Sequence, residues 1–233
     1  MYKMFSILVS ALILAGCSTT GMVSKHPDAM SMTPAVQKAM TIDQAMARLK
    51  AGNDRFMTGQ MLQRDLPGQV KVSSTGQYPF ASVVSCLDSR ASAELVFDQG
   101  IGDVFSARVA GNIINEDILG SLEYGSKVAG AKVVVILGHT SCGAIKGACD
   151  DVALGNLTGL LAKIKPAIKN VSLVGDRSSK NHAFVDMVAE SNVRRTVQEV
   201  LDRSPVLRDM QAKGEIKIVG AMLDVATGKI AWY

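Results

Sequence analysis

The segment Ala131–Gly143, AKVVVILGHTSCG, constrains this chain more than any other. Val133 to Leu137 form an unbroken apolar run rich in β-branched side chains, which favour a pleated strand. A half-exposed strand would alternate apolar and polar residues. A run without alternation suits a strand covered on both faces, and helices must supply the cover. It therefore predicts an α/β domain with a mostly parallel central sheet flanked by helices. The run ends at Gly138, and His139 and Cys142 follow immediately. In parallel sheets, chemistry collects at the C-terminal ends of strands. The chain has only 3 His and 4 Cys, so one of each at a strand end asks for a chemical explanation.

The remaining segments fit the same architecture. YPFASVVSC places a short buried strand at Phe80–Ser85, ending at Cys86, and DVFSARV places another around Val104–Val109. TIDQAMARLKAGNDRFMTG reads as an amphipathic helix with Thr41 as its cap, ending near Gly59. DILGSLEYGSKVAG reads as a helix closed by Gly130. Helical segments follow His139 to about Lys169, and 170–180 reads as a loop. A long helix begins after Asn181. Ser204, Pro205 and Gly214 bracket a further compact one. The C-terminal EIKIVGAMLDVATGKIAWY reads as a strand, a turn at Ala226–Gly228 and a last strand, giving a C-terminal strand pair.

A length of 233 residues with 48% hydrophobic composition suits one domain with a substantial core. The formal charge of +4 is spread along the chain, without a basic cluster interleaved with aromatics, which argues against nucleic-acid binding. The N-terminus is different. Lys3 precedes an apolar stretch from Phe5 to Ala15 that is short for a bilayer span and reads as a secretory signal. Its end, Leu14–Cys17 (LAGC), resembles the lipobox of bacterial lipoproteins. That resemblance implies a signal peptide over 1–16, lipid on Cys17 as membrane anchor, and, with Ser18 following, sorting to the outer membrane facing the periplasm. Residues 17–40 are small and polar and read as a flexible tether that includes His26, with the folded domain at 41–233.

Cys86, His139 and Cys142 are the candidate ligands. Zinc favours Cys and His, and catalytic zinc sites keep one coordination position open. From spacing alone a disulfide between Cys86 and Cys142 is an equal alternative in an exported protein. Asp88 and Arg90 lie just beyond Cys86 in SCLDSR. A carboxylate there can ligate a metal or orient its water, and an Arg can hold the carboxylate by a bidentate pair. On these residues alone the plainer reading is that Asp88 caps the following helix and Arg90 is a solvated charge.

CLDSR, FDQGIGDVFSARVAGN, EYGSKVAGAKVVVILGHTSCGA, NVRRTVQEVLDRSPVL and IKIVGAMLD, in that order, resemble the β-class carbonic anhydrases from about Thr41 to the C-terminus. The resemblance implies reversible hydration of CO2 to bicarbonate and a proton by a hydroxide on Zn2+. Cys86, His139 and Cys142 would be the metal ligands. Asp88 would be a fourth ligand in closed forms and a water-orienting acceptor in open ones, where Arg90 pairs with it. Gln77, Phe105, Ala110, Tyr124 and the Gly143 N–H would contact substrate, and the assembly would be a homodimer or larger, with pockets completed across the interface. Some bacterial members carry Trp where this chain has Val83, so their regulatory bicarbonate pocket is not expected. Cys149 lies outside the signature and reads as a buried thiol. Two other readings share the motifs: a related zinc hydrolase acting on CS2 or COS, and a non-catalytic envelope lipoprotein whose zinc is closed by Asp88.

Overall fold

A computed structural model describes residues 24–233; the signal segment 1–16 and Cys17 lie outside them. The described chain opens with a 3-10 turn at Pro27–Ala29, then helices α1 (Pro34–Ala39), α2 (Ile42–Met57) and α3 (Leu66–Ser73). Strand β1 (Ala81–Ser85), helix α4 (Ala93–Val96), strand β2 (Val104–Arg108) and helix α5 (Glu116–Glu123) follow, with α5 running into a π-helical turn at Tyr124–Val128. Strand β3 (Val133–His139) leads to α6 (Gly143–Cys149), α7 (Gly155–Ala162), α8 (Lys165–Lys169), α9 (His182–Arg203) and α10 (Pro205–Ala212). The chain ends in β4 (Lys217–Leu223) and β5 (Ile230–Trp232). No helix among the described residues is long and apolar enough to cross a membrane.

The strands form one sheet in the order β2-β1-β3-β4-β5, parallel except for β5, which pairs antiparallel with β4. Every residue of β3 is buried. Its side chains alternate between two cores. Val134 and Ile136 pack with Phe184, Val188 and Val193 of α9. Val133, Val135 and Leu137 pack with Leu49 of α2 and with Val96 and Phe97 at α4. The apolar run is thus explained by cover on both faces. Local caps set the helix boundaries: Thr41 and Gln44 form a capping box on α2, Asn181 caps α9 and Ser204 caps α10.

The tether reading of 17–40 needs correction over its described part. Residues 24–40 pack on the domain instead of hanging from it. Ala29, Met32 and Gln37 are buried. Gln37 Nε2 donates to the carbonyls of Pro79 and Ala129, each at 2.7 Å, and Asp28 lies 3.4 Å from Arg55 and 3.7 Å from Arg48. Polar composition suggested solvent; the partners that satisfy these groups lie far along the chain, where no local pattern reveals them. His26 caps the 3-10 turn, its Nδ1 accepting from the Asp28 N–H at 3.1 Å.

Candidate metal centre

In a sheet of this strand order the connections run to opposite sides between β1 and β3, and the crevice beyond their C-terminal ends is the natural site for a ligand. Ser85, the last residue of β1, pairs in register with Leu137 of β3. Cys86 therefore leaves the sheet beside His139, the final residue of β3. The turn Thr140–Ser141 then brings Cys142 back over the same crevice. The ligand atoms of Cys86, His139 and Cys142 all lie within 4.8 Å of one another, and all three residues are buried. The two sulfurs are 4.0 Å apart and both thiols are free, which settles the disulfide alternative against a bond of about 2.05 Å.

The donor set fits zinc. Two thiolates bound tetrahedrally at about 2.3 Å would stand roughly 3.8 Å apart, close to the observed separation. His139 Nδ1 lies 2.9 Å from the Thr140 carbonyl. A carbonyl only accepts, so Nδ1 carries the proton and Nε2 presents a lone pair. That Nε2 is buried without a hydrogen-bond partner, a costly arrangement that a metal ion would relieve. The Gly111 N–H points at Cys86 Sγ at 3.4 Å, and Gly111 takes φ +69 to bring it there. Without a cation, a hydrogen bond from Cys142 lowers the Cys86 pKa, with His139 and the Gly111 amide assisting. The same shared proton, with burial, pushes Cys142 up. Burial disfavours a charged His139, but the Cys86 thiolate outweighs it and raises the imidazole. Cys86 is thus the readier thiolate of the two, with the Cys142 thiol in place beside it for a cation.

Asp88 stands at the mouth of this centre, its Oδ2 3.8 Å from His139 Nε2. Arg90 Nε donates to Oδ1 at 2.9 Å, Arg90 Nη2 to Oδ2 at 2.8 Å, and the Arg90 N–H also to Oδ1 at 2.9 Å. These bonds hold Asp88 well below the usual carboxylate range. The loop bearing Asp88 is itself gripped by Arg108 of β2, which donates to the carbonyls of Cys86, Leu87 and Asp88. Arg108 was not anticipated as part of the site; only its place at the end of a strand beside β1 marks it. Cys149 is a half-buried free thiol whose pKa burial raises to about 11, and it does not line the crevice.

A cavity of about 270 Å³ adjoins the centre, lined by Cys86, Leu87, Asp88, Ala110, Gly143, Ala144, Gly147, Leu157 and Leu161. Its walls are apolar apart from the metal-facing groups. Of the remaining candidate substrate contacts, Ala110 and Gly143 reach this cavity, whereas Phe105 and Tyr124 do not. Those two rings meet edge-on with centroids 6.2 Å apart and line a separate cavity of about 600 Å³ beside Ser82 and the outer face of β2. Gln77 is exposed on the loop before β1. A single chain therefore does not assemble the full pocket implied by the family resemblance.

Residues 81–230 match the family model described as carbonic anhydrase. Carbonic anhydrase 2 of Mycobacterium tuberculosis is 34% identical over 191 residues, covering 79% of this chain and 89% of that protein. The carbonic anhydrase of Mycolicibacterium smegmatis is 35% identical over 192 residues, covering 80% and 90%. Among solved structures, a Coccomyxa β-carbonic anhydrase in complex with acetazolamide superposes with a TM-score of 0.62 at 26% identity, covering 70% of this chain and 75% of that one.

Proposed function

The chain belongs to the carbonic anhydrase family, and on that footing we propose that its Cys86–His139–Cys142 centre holds zinc and that the protein catalyses the reversible hydration of CO2 to bicarbonate and a proton. One observation carries the reading: three ligands suited to zinc converge on a buried crevice while Arg90 holds the carboxylate of Asp88 beside them. Bound zinc supplies the Lewis acidity that brings the pKa of water from about 15.7 to about 7. Two thiolates offset the charge of the ion, so orientation of the water by the protein carries more of the burden than at a three-His site. Asp88 Oδ2 receives one bond from Arg90 and retains accepting capacity for the attacking water. Accepting a hydrogen bond from that water, without taking its proton, would aim the water's lone pair at the carbon of CO2. Arg90 keeps Asp88 ionised for the task. Leu87, Ala110, Leu157 and Leu161 suit an uncharged substrate without hydrogen-bond donors. The Gly143 N–H, first in α6, is unpaired within its helix and supplies a donor for the oxygen on which charge grows. Arg90 also argues against a permanently closed centre, because it would have to surrender Asp88 to the metal.

The complete pocket belongs to a homo-oligomer in which a second copy brings Gln77, Phe105 and Tyr124 toward the first copy's cavity. Support comes from the separation of those residues from Cys86 within one chain, from the unpaired edge strand β2, and from exposed Leu87, Tyr124 and Val128. Export and anchoring through lipid on Cys17, in the outer membrane facing the periplasm, belong to the same proposal. They are supported by the apolar stretch Phe5–Ala15 and the residues Leu14–Cys17. Mass spectrometry of the native N-terminus tests the lipid, and light scattering tests the assembly. The decisive experiment for function is stopped-flow CO2 hydration with zinc quantitation on the same sample. Stoichiometric zinc and hydration that rises with pH are expected; zinc-loaded protein without hydration would refute the activity.

A further inference from the structure

The three residues between β3 and α6 run from one zinc ligand, His139 at the end of β3, to another, Cys142, and their path is unusual. Thr140 still follows the sheet: its N–H donates to the Leu223 carbonyl at 2.9 Å, and its Oγ1 accepts from the Val225 N–H at 3.1 Å. The next residue, Ser141, takes φ +55, a left-handed conformation that side-chain-bearing residues rarely adopt. Cys142 then returns to an extended φ of −68 and ψ of 122 as the cap of α6. The left-handed step reverses the chain over the crevice, so the position of Cys142 Sγ relative to His139 Nε2 depends on it.

A side chain from a distant helix secures that step. Asp186 Oδ1 accepts from the Ser141 N–H at 2.8 Å, across 45 residues of sequence. Asp186 lies in the first turns of α9, next to Val185 and close to Phe184 and Val188, all fully buried against the sheet. Its carboxylate is therefore presented from a rigid support. We propose that Asp186 is a positioning residue for zinc: it holds Ser141 left-handed and so presets the spacing of His139 and Cys142. This follows the general behaviour of groups that orient metal ligands from outside the coordination sphere. It rests on the zinc reading of the centre given above.

The test compares wild type, Asp186→Ala, Asp186→Asn and the double variant Asp186→Ala/Ser141→Gly, each loaded with zinc. Zinc release to a chromophoric chelator is measured alongside CO2 hydration and thermal unfolding. Asp186→Ala is expected to release zinc about 10- to 100-fold faster and to lose kcat with little change in KM, because the ligand turn moves while the apolar cavity wall stays. Asp186→Asn keeps an acceptor oxygen and should fall between wild type and the alanine variant. Glycine adopts φ +55 without steric cost, so the double variant should recover part of the lost zinc retention. A merely structural role for Asp186 would lower the unfolding temperature without that rescue. Zinc release from Asp186→Ala at the wild-type rate, or a double variant no better than the single one, overturns the proposal. Wild-type protein that takes up no zinc would instead overturn the reading of the centre itself, so the two failures are distinct.

Discussion

Arg90 grips Asp88 through two parallel hydrogen bonds, Nε to Oδ1 at 2.9 Å and Nη2 to Oδ2 at 2.8 Å, and so fixes a carboxylate beside a buried imidazole without letting it bind there. A fork of this kind matches a guanidinium to a carboxylate in plane as well as in charge, which an ammonium cannot reproduce.

Asp88→Asn should retain zinc and lose about 100-fold or more of its hydration rate. Arg90→Gln should retain zinc and release the carboxylate toward its ordinary value of 3.8. The sign follows from linkage. A depressed carboxylate contributes stability that is complete above its unfolded value and fades only as pH falls through the lower folded one. A carbon-13 titration of the Asp88 carboxyl should therefore move upward in Arg90→Gln; an unchanged titration would contradict the clamp.

Removing the metal should abolish activity, and adding zinc should restore it. Cys142→Ala should lose zinc and activity together, since a single thiolate and one imidazole leave the ion half-coordinated. Zinc analysis by mass spectrometry checks both, and stoichiometric zinc in Cys142→Ala would contradict the ligand assignment.

Arg48 and Asp103 form an interior ion pair at 2.9 Å, with side-chain exposures of 6% and 0%. Burial raises the Asp103 pKa, and Arg48 opposes that rise. Arg48→Met leaves a buried carboxylate unpaired and should cost about 3–5 kcal/mol at neutral pH. A raised carboxylate takes up its proton more readily in the folded state than in the unfolded one. The deficit should therefore shrink as pH falls and grow as pH rises. Urea denaturation across pH measures it, and Arg48→Met/Asp103→Asn should recover much of the loss.

Gln37 ties the N-terminal arm to the loop before β1 and to the segment before β3 by bonding the Pro79 and Ala129 carbonyls. Gln37→Ala removes the donor to both and should cost about 1–3 kcal/mol. Hydration activity should be unaffected, because the arm does not touch the crevice. Denaturation and hydration assays on the same preparation would show the separation; undiminished stability would mean the arm is not anchored through Gln37.

The amino-acid sequence by itself determined the elements and the local chemistry. The apolar run Val133–Leu137 reads as a doubly covered strand, the caps at Thr41, Asn181 and Ser204 set helix starts, and Cys86 and His139 each stand at a strand's exit with Cys142 three residues on. These are properties of residues near one another in the chain, where periodicity and capping act directly. Only the tertiary structure decided what depends on contacts between distant segments. It set Cys86 beside His139 through the register of β1 on β3. It placed Phe105 and Tyr124 on a different cavity from the metal centre. It seated the polar arm around Gln37 in the fold and brought Asp186 of α9 to the amide of Ser141. A hydrogen bond or cavity wall formed across dozens of residues leaves no periodic trace, because the strand pairing and helix packing that create it are settled only when both cores close around the sheet.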